Sequence, residues 1–105
     1  MARFLVLWRP NWAGPWPADA KKAAQIVEAM LEDGERYMEA GIISDHGFFV
    51  DGSSGFFIFQ GMSEDVFNLT SAYGPFIHFD VKEMIPYEKE RDALLNSLRL
   101  LVLSR

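Results

Sequence analysis

The stretch IISDHGFFVDGSSGFFIF, residues 42–59, gives the clearest structural signal in this chain. Two apolar segments, 42–50 and 55–60, flank the sequence DGSSG at 51–55. Phenylalanine, valine and isoleucine favour strands, whereas glycine, serine and aspartate favour the connection between them. The stretch therefore predicts a β-hairpin with a longer loop.

One strand and one helix are predicted ahead of this hairpin. The apolar run from Arg3 to Trp8 is short and indicates a strand that is buried on both faces. Residues 18–40 have the period of a helix, with Pro17 in its first turn and Gly41 just past its end. Gly34 lies in phase with the apolar positions and predicts close packing or a kink. The apolar positions recur at three- and four-residue steps: Ala23, Val27, Met30, Gly34, Tyr37 and Gly41.

A helix, a strand and a last helix are predicted after the hairpin. Ser63 is the predicted N-cap of a short helix that ends at Gly74-Pro75. Residues 76–81 alternate between two faces, with His78 and Asp80 on the same one. Residues 87–103 have a helical pattern, although the segment Leu100–Leu103 also fits an added edge strand.

The predicted order β-α-β-β-α-β is that of an α+β, ferredoxin-like sandwich with an added C-terminal element. We expect one domain over residues 1–105, with its core at 2–86 and the C-terminal element at 87–105. Both helices of such a fold cover one face of the sheet. Because the strands are apolar on both faces and no segment is left to cover the other, we predict a homodimer that pairs sheet to sheet.

Composition excludes several classes of protein. The 105 residues carry a formal net charge of −5 with 10 scattered Lys and Arg, which argues against nucleic-acid binding. No cysteine is present, which excludes disulfides, zinc–thiolate sites and cysteine nucleophiles. No apolar segment has the length of a membrane span. We therefore predict a cytosolic protein with no nucleic-acid or membrane partner.

Several short motifs resemble those of the dimeric α/β-barrel superfamily, with YCII-like and muconolactone isomerase-like proteins as the nearest likenesses. The resemblance covers roughly residues 2–86, and its motifs are mostly turn, cap and strand signals. It is carried by EAGII at 39–43, DGSSGFFI at 51–58, MSED at 62–65, YGPF at 73–76 and IP at 85–86. The resemblance implies a dimer whose two sheets form a barrel and whose pockets hold small organic molecules. Members include isomerases, cofactor-free monooxygenases, haem-degrading enzymes and proteins without known activity.

His78 and Asp80 are the strongest candidates for catalysis. They lie two residues apart on one face of the predicted strand, which runs antiparallel to the first strand. We expect Arg3 across from Asp80 and Arg9 nearer to His78. The imidazole would move a proton, the carboxylate would orient it and an arginine would hold a substrate anion. The alternative is a structural network that satisfies polar groups inside the dimer interface.

Five further residues are candidates for ligand binding. The stretch RPNWAGPWP, 9–17, with Trp8, contains all three tryptophans, and its prolines exclude a regular helix. Trp12 and Trp16 either plug the end of the sheet or take part in the dimer contact, or they form a lid that stacks on a flat ligand. Neither histidine has the spacing of a preformed metal site, so we predict no metal and no cofactor. The five candidates are Trp12, Trp16, Arg9, His46 and Tyr73.

Three classes of function fit these residues. The first is a cofactor-free isomerase, lyase or monooxygenase that acts on a planar carbonyl or aromatic compound. The second is a non-catalytic or stress-related dimer that binds an apolar or aromatic ligand. The third is a purely structural domain in which the aromatic residues all serve the core. We rank them in that order.

Overall fold

The computed structural model describes residues 2–104, which form an α+β fold with a four-stranded antiparallel sheet and three helices. The element order and the antiparallel sheet are compatible with the predicted ferredoxin-like arrangement. In chain order the elements are β1 (Ala2–Pro10), α1 (Ala20–Glu39), β2 (Ile43–Phe48), β3 (Gly55–Gly61), α2 (Ser63–Tyr73), β4 (Ile77–Met84) and α3 (Tyr87–Leu103).

The first strand of the chain lies inside the sheet. The spatial order is β2-β3-β1-β4, so β1 pairs with β3 on one side and with β4 on the other. The predicted hairpin is confirmed, with β2 and β3 paired antiparallel and an irregularity between Ile43 and Asp45. Neighbouring residues on a strand point to opposite faces. The register therefore divides the sheet into two distinct surfaces.

One surface, which we call the helix face, holds the core. Phe4 lies opposite Phe59, and Val6 lies opposite Phe57. Phe4, Val6 and Phe59 are buried together with Ile43 and Val66, the latter supplied by α2. Tyr37 of α1 packs on this cluster with its ring centroid 6.1 Å from that of Phe59. The other surface, which we call the open face, carries Leu5 and Leu7 and no packed helix of the described chain.

The ends of α1 follow local chemistry. The Asp19 carboxylate accepts a hydrogen bond from the Lys21 backbone N–H and caps the start of the helix. Pro17 therefore precedes the cap, and its predicted place in the first turn is wrong. Gly41 is confirmed just past the end, where its φ of +75° would strain a residue with a side chain. Backbone bonds from Gly41 N–H to Met38 O and from Ile42 N–H to Tyr37 O complete a Schellman motif.

The start of α2 differs from the prediction. Met62, not Ser63, occupies the N-cap position, and its N–H donates to the Asp65 carboxylate at 3.2 Å. A methionine side chain lacks the oxygen that a capping residue normally supplies. The acidic side chain three positions later satisfies the helix start instead, which is half of a capping box.

Replacing Gly34 with alanine is expected to raise the free energy of unfolding by about 0.5–1 kcal/mol. A methyl group at this position would meet only the terminal carbon of Met38, at 3.9 Å. The predicted close packing at Gly34 is therefore absent, and its helical backbone suits alanine. Urea unfolding followed by far-UV circular dichroism measures the change. A loss of stability would show that the α1 backbone needs glycine there.

The last helix projects from the rest of the chain. Residues 100–103 belong to α3, so the alternative of an edge strand is wrong. No residue of α3 is buried, and α3 packs along no other element of the described chain. The molecule consequently measures 64 × 30 × 27 Å along its principal axes. No helix within residues 2–104 has both the length and the apolarity needed to cross a membrane.

Candidate functional site

An open hollow of about 430 Å³ lies where β1 ends and β4 begins. Leu7 forms its apolar floor, and Arg9, His78 and Asp80 contribute the charged and titratable groups. These four residues share the open face because Leu7 pairs with Asp80 and Arg9 pairs with His78. The hollow is lined by Leu7, Trp8, Arg9, Phe49, Ser54, His78, Phe79 and Asp80.

Arg9 and His78 form the polar rim of the hollow. The register places them directly opposite each other, and the side chains of such a pair start about 4.5–5.5 Å apart. The prediction that Arg9 lies near His78 is therefore confirmed. Both side chains are exposed, so each is free to meet a ligand that enters from solvent. A guanidinium recognises an anion, and an imidazole exchanges a proton.

Asp80 has a partner that sequence reasoning missed. Its Oδ2 lies 3.9 Å from Nζ of Lys82, two residues further along the same face of β4. The ion pair is exposed and loose, so it contributes little to stability. Within residues 2–104 no hydrogen bond or ion pair joins the Asp80 carboxylate to His78. The predicted orientation of the imidazole by Asp80 is thus not formed in this structure.

The second wall of the hollow comes from the β2–β3 hairpin. The rings of Phe49 and Phe56 are stacked, with centroids 6.1 Å apart and planes inclined by 25°. Phe56 lies opposite Leu7, which places this aromatic pair on the open face. Phe49 was not among the residues predicted from the sequence. Its one sequence signal is that it is an aromatic residue close to the predicted hairpin loop.

The hairpin loop is held by Asp51. Its carboxylate accepts the Ser53 backbone N–H and the Ser54 hydroxyl, and these two bonds hold the pKa of Asp51 below its ordinary value. The Ser54 carbonyl accepts the Phe49 backbone N–H at 2.8 Å. These bonds position Ser54 and Phe49 at the edge of the hollow. Ser54 is a second lining residue that the sequence analysis missed.

Arg3 does not belong to this site. The prediction that it lies across from Asp80 is wrong, because Arg3 pairs with Met84 and Asp80 pairs with Leu7. Leu7 is four residues along the strand from Arg3, a distance of roughly 13 Å. The predicted register was shifted by four residues along β4. Arg3 shares the open face but lies toward its other end.

His46 and Tyr73 lie outside the lining of the hollow. His46 pairs with Phe57, which places its exposed side chain on the helix face, opposite to His78. The Asp45 carboxylate accepts the His46 backbone N–H at 2.9 Å and points to the other face. Tyr73 is half-buried at the end of α2, where its carbonyl accepts the Phe76 N–H. The structure does not join either residue to Arg9 and His78.

The tryptophan loop packs against the turn that precedes β4. The Trp16 indole N–H donates to the Asn11 carbonyl at 2.9 Å, and its ring meets Phe76 with centroids 4.9 Å apart. Trp12 lies 6.0 Å from Trp16, ring to ring, and is 75% exposed. Trp8 is half-buried and meets Phe48 edge to face. Trp16 therefore packs beside β4, and neither Trp12 nor Trp16 lines the hollow.

Residues 2–104 contain no group of three His, Asp or Glu side chains arranged to hold a metal ion. Comparison with profiles of protein families, with curated proteins and with solved structures gave no match to this chain. Membership in the dimeric α/β-barrel superfamily accordingly stays a prediction from the residues quoted above. The fold and the hollow are the basis for assigning a function.

Proposed function

We propose that the protein is a homodimer that binds a small planar carbonyl or aromatic anion in the hollow on its open face. The pairing of Arg9 with His78 over an apolar floor supports this proposal most directly. The guanidinium would hold the anionic group of the ligand. Leu7 and the Phe49–Phe56 pair would contact its flat body.

A second copy would complete this site. The hollow is open to solvent, and its floor consists of side chains that stand on an uncovered sheet face. Sheet-to-sheet pairing would place another apolar surface over the bound ligand and exclude water from it. A ligand pocket normally buries most of its ligand, which the open hollow of one chain does not. We therefore assign the closed pocket to the dimer.

The reaction that suits these groups is a cofactor-free proton transfer, such as an isomerisation next to a carbonyl. His78 would remove a proton from the carbon beside the carbonyl and return it at a second carbon of the same ligand. Arg9 would stabilise the negative charge that collects on the carbonyl oxygen in between. The ligand is isomerised without any net gain or loss of atoms or electrons.

Binding without turnover is the second candidate function. It is favoured by the Asp80–Lys82 ion pair, because an imidazole without an orienting carboxylate is a weaker general base. In that case Arg9 and His78 would recognise a ligand that the dimer only sequesters or senses. The two candidates share the same residues and differ only in the fate of the ligand.

The test compares residues of the same type inside and outside the hollow: Arg9 with Arg3, and then His78 with His46. A panel of aromatic carboxylates and of β,γ-unsaturated oxo acids, which carry an acidic hydrogen beside the carbonyl, is screened by thermal shift, and binders are titrated calorimetrically. Arg9→Ala should raise the dissociation constant at least about 10-fold, because a charged hydrogen bond is lost. Arg3→Ala removes the same charge from the far end of the same face and should leave the dissociation constant unchanged.

The histidines separate catalysis from binding. His78→Ala should abolish any conversion of a bound compound, as followed by proton NMR, while His46→Ala on the opposite face should retain it. Binding without conversion in the unaltered protein would support the second candidate. Equal effects of Arg9→Ala and Arg3→Ala, or no binding by any compound of the panel, would contradict the proposed site.

A further inference from the structure

The apolar side of α3 has no cover in one chain. Five residues at helical spacing form what we call the α3 stripe, and the helical repeat of about 3.6 residues brings them to one side of the helix. The groove beside this stripe is lined by α3 residues alone, so no other described part of the chain lies against it. The stripe comprises Leu94, Leu95, Leu98, Leu101 and Val102.

The shape of the chain shows how much surface is left uncovered. Its accessible surface is 7816 Å², whereas a compact monomer of 12.0 kDa would expose about 6,000 Å². Its radius of gyration is 18.1 Å, against about 13 Å for a compact chain of this length. Each chain thus carries an excess of about 1,800 Å². A standard interface buries about 800 Å² on each partner, and obligate homodimers bury more.

We infer that α3 is an arm that docks on a second copy of this chain, with the two arms exchanged reciprocally. The uncovered area matches an obligate dimer of identical chains better than a transient contact. The helix is about 25 Å long by its rise per residue and leaves the body directly after β4. It therefore extends beyond its own sheet and is long enough to reach a second copy paired on the open face. This inference rests on the homodimer of the proposed function, and it identifies α3 as the segment that holds the two chains together.

A burial argument favours a protein partner of this kind. Among residues 2–104, five hydrophobic side chains are buried, and Val6 alone is fully so. Half of the residues in the sequence are hydrophobic. A chain with so small a core of its own needs further apolar burial to offset the entropy of folding. A second copy of the same sequence supplies this burial. Each chain then buries apolar surface on its own α3 and on the part of its body that the partner's α3 covers.

The test compares two leucines of the same helix. Leu98 belongs to the α3 stripe and is 49% exposed, whereas Leu100 is 69% exposed and lies about 200° around the helix from Leu98. Size-exclusion chromatography with light scattering should give the unaltered protein twice the 12.0 kDa mass of one chain. Leu98→Asp should shift the protein to the mass of one chain, with a dissociation constant raised at least 100-fold. Leu100→Asp should remain a dimer.

The exchange of α3 between the two chains is tested by measuring a distance between spin labels on different chains. The chain has no cysteine, so Ser97→Cys provides a single attachment point for a spin label on α3. A chain labelled there is mixed with one labelled on the body at Gln25→Cys, and a measurable inter-chain distance between the two labels is expected. An unchanged near-UV spectrum of the tryptophans in Leu98→Asp shows that the body remains folded.

Three results would overturn the inference. A dimer that persists in Leu98→Asp would exclude the arm as the holding contact while leaving sheet-to-sheet pairing intact. Equal dissociation by Leu98→Asp and Leu100→Asp would exclude docking through the α3 stripe. A monomeric unaltered protein, whether α3 folds back onto its own body or lies on a lipid vesicle, would exclude a second copy as its occupant.

Discussion

Replacing Phe59 with alanine is expected to lower the free energy of unfolding by about 3–5 kcal/mol. The Phe59 ring is 2% exposed and stands opposite both Phe4 of β1 and Ile43 of β2. It also packs on Tyr37, so its removal opens a cavity between the sheet and α1. Small domains are stable by about 5–15 kcal/mol in total, so this single change removes a large share.

The control for Phe59 is the same substitution at Phe67. That ring is 69% exposed on α2, and its loss should change the free energy of unfolding by less than about 1 kcal/mol. Both variants are unfolded in urea at one fixed protein concentration, because a dimer's stability depends on concentration. Similar losses in the two variants would contradict the core assigned to the helix face.

Replacing Gly14 with alanine is expected to cost about 2–3 kcal/mol, the second-largest effect. The added methyl group would collide with the Pro75 carbonyl oxygen and approach the Asn11 carbonyl oxygen to 3.0 Å. Both obstacles are backbone atoms, so the loop and the 74–76 turn would have to separate. That movement would break the bond from Asn11 N–H to Phe76 O, which is 2.7 Å long.

The Gly14 variant has a spectroscopic signature. Separation of the loop from Phe76 would expose Trp16 and shift tryptophan emission to longer wavelength. Gly34→Ala adds the same methyl group where nothing obstructs it, so the two alanine variants should change stability in opposite directions. Unchanged emission and unchanged urea midpoint in Gly14→Ala would show that the loop does not rest on the turn before β4.

Local patterns predicted the elements of this fold because their causes are local. Apolar periodicity identified α1 and α3, and the hairpin followed from turn residues between two aromatic strands. The N-cap of α2 was misplaced by one residue because a serine was expected to cap, whereas the Asp65 side chain satisfies the helix start from inside the helix. Errors of one residue are common at helix ends, because helix boundaries vary by one or two residues.

The candidate site was predicted only in part because it depends on strand register. Arg9 and His78 were both selected from sequence, and the strand register places them opposite each other. Arg3 was misplaced because a shift of four residues between β1 and β4 leaves every side chain on the same face, so the hydrophobic pattern does not exclude it. Phe49 and Ser54 were missed because a hairpin loop that bends over the open face leaves no periodic signal.

The central position of β1 has a consequence for how the chain reaches its fold. Pro10 of β1 pairs with Ile77 of β4, so β1 leaves the ribosome well before the strand that pairs with it. At about 5–20 residues per second, that interval is several seconds. The β2–β3 hairpin can form during it and offer β1 one edge, but the apolar opposite edge stays unpaired. Non-local pairings of this kind slow folding and expose strands to aggregation. Slower synthesis at lower temperature lengthens the time for which this edge of β1 is unpaired, so it should not raise the soluble yield. A chaperone that shields β1 should raise the soluble yield.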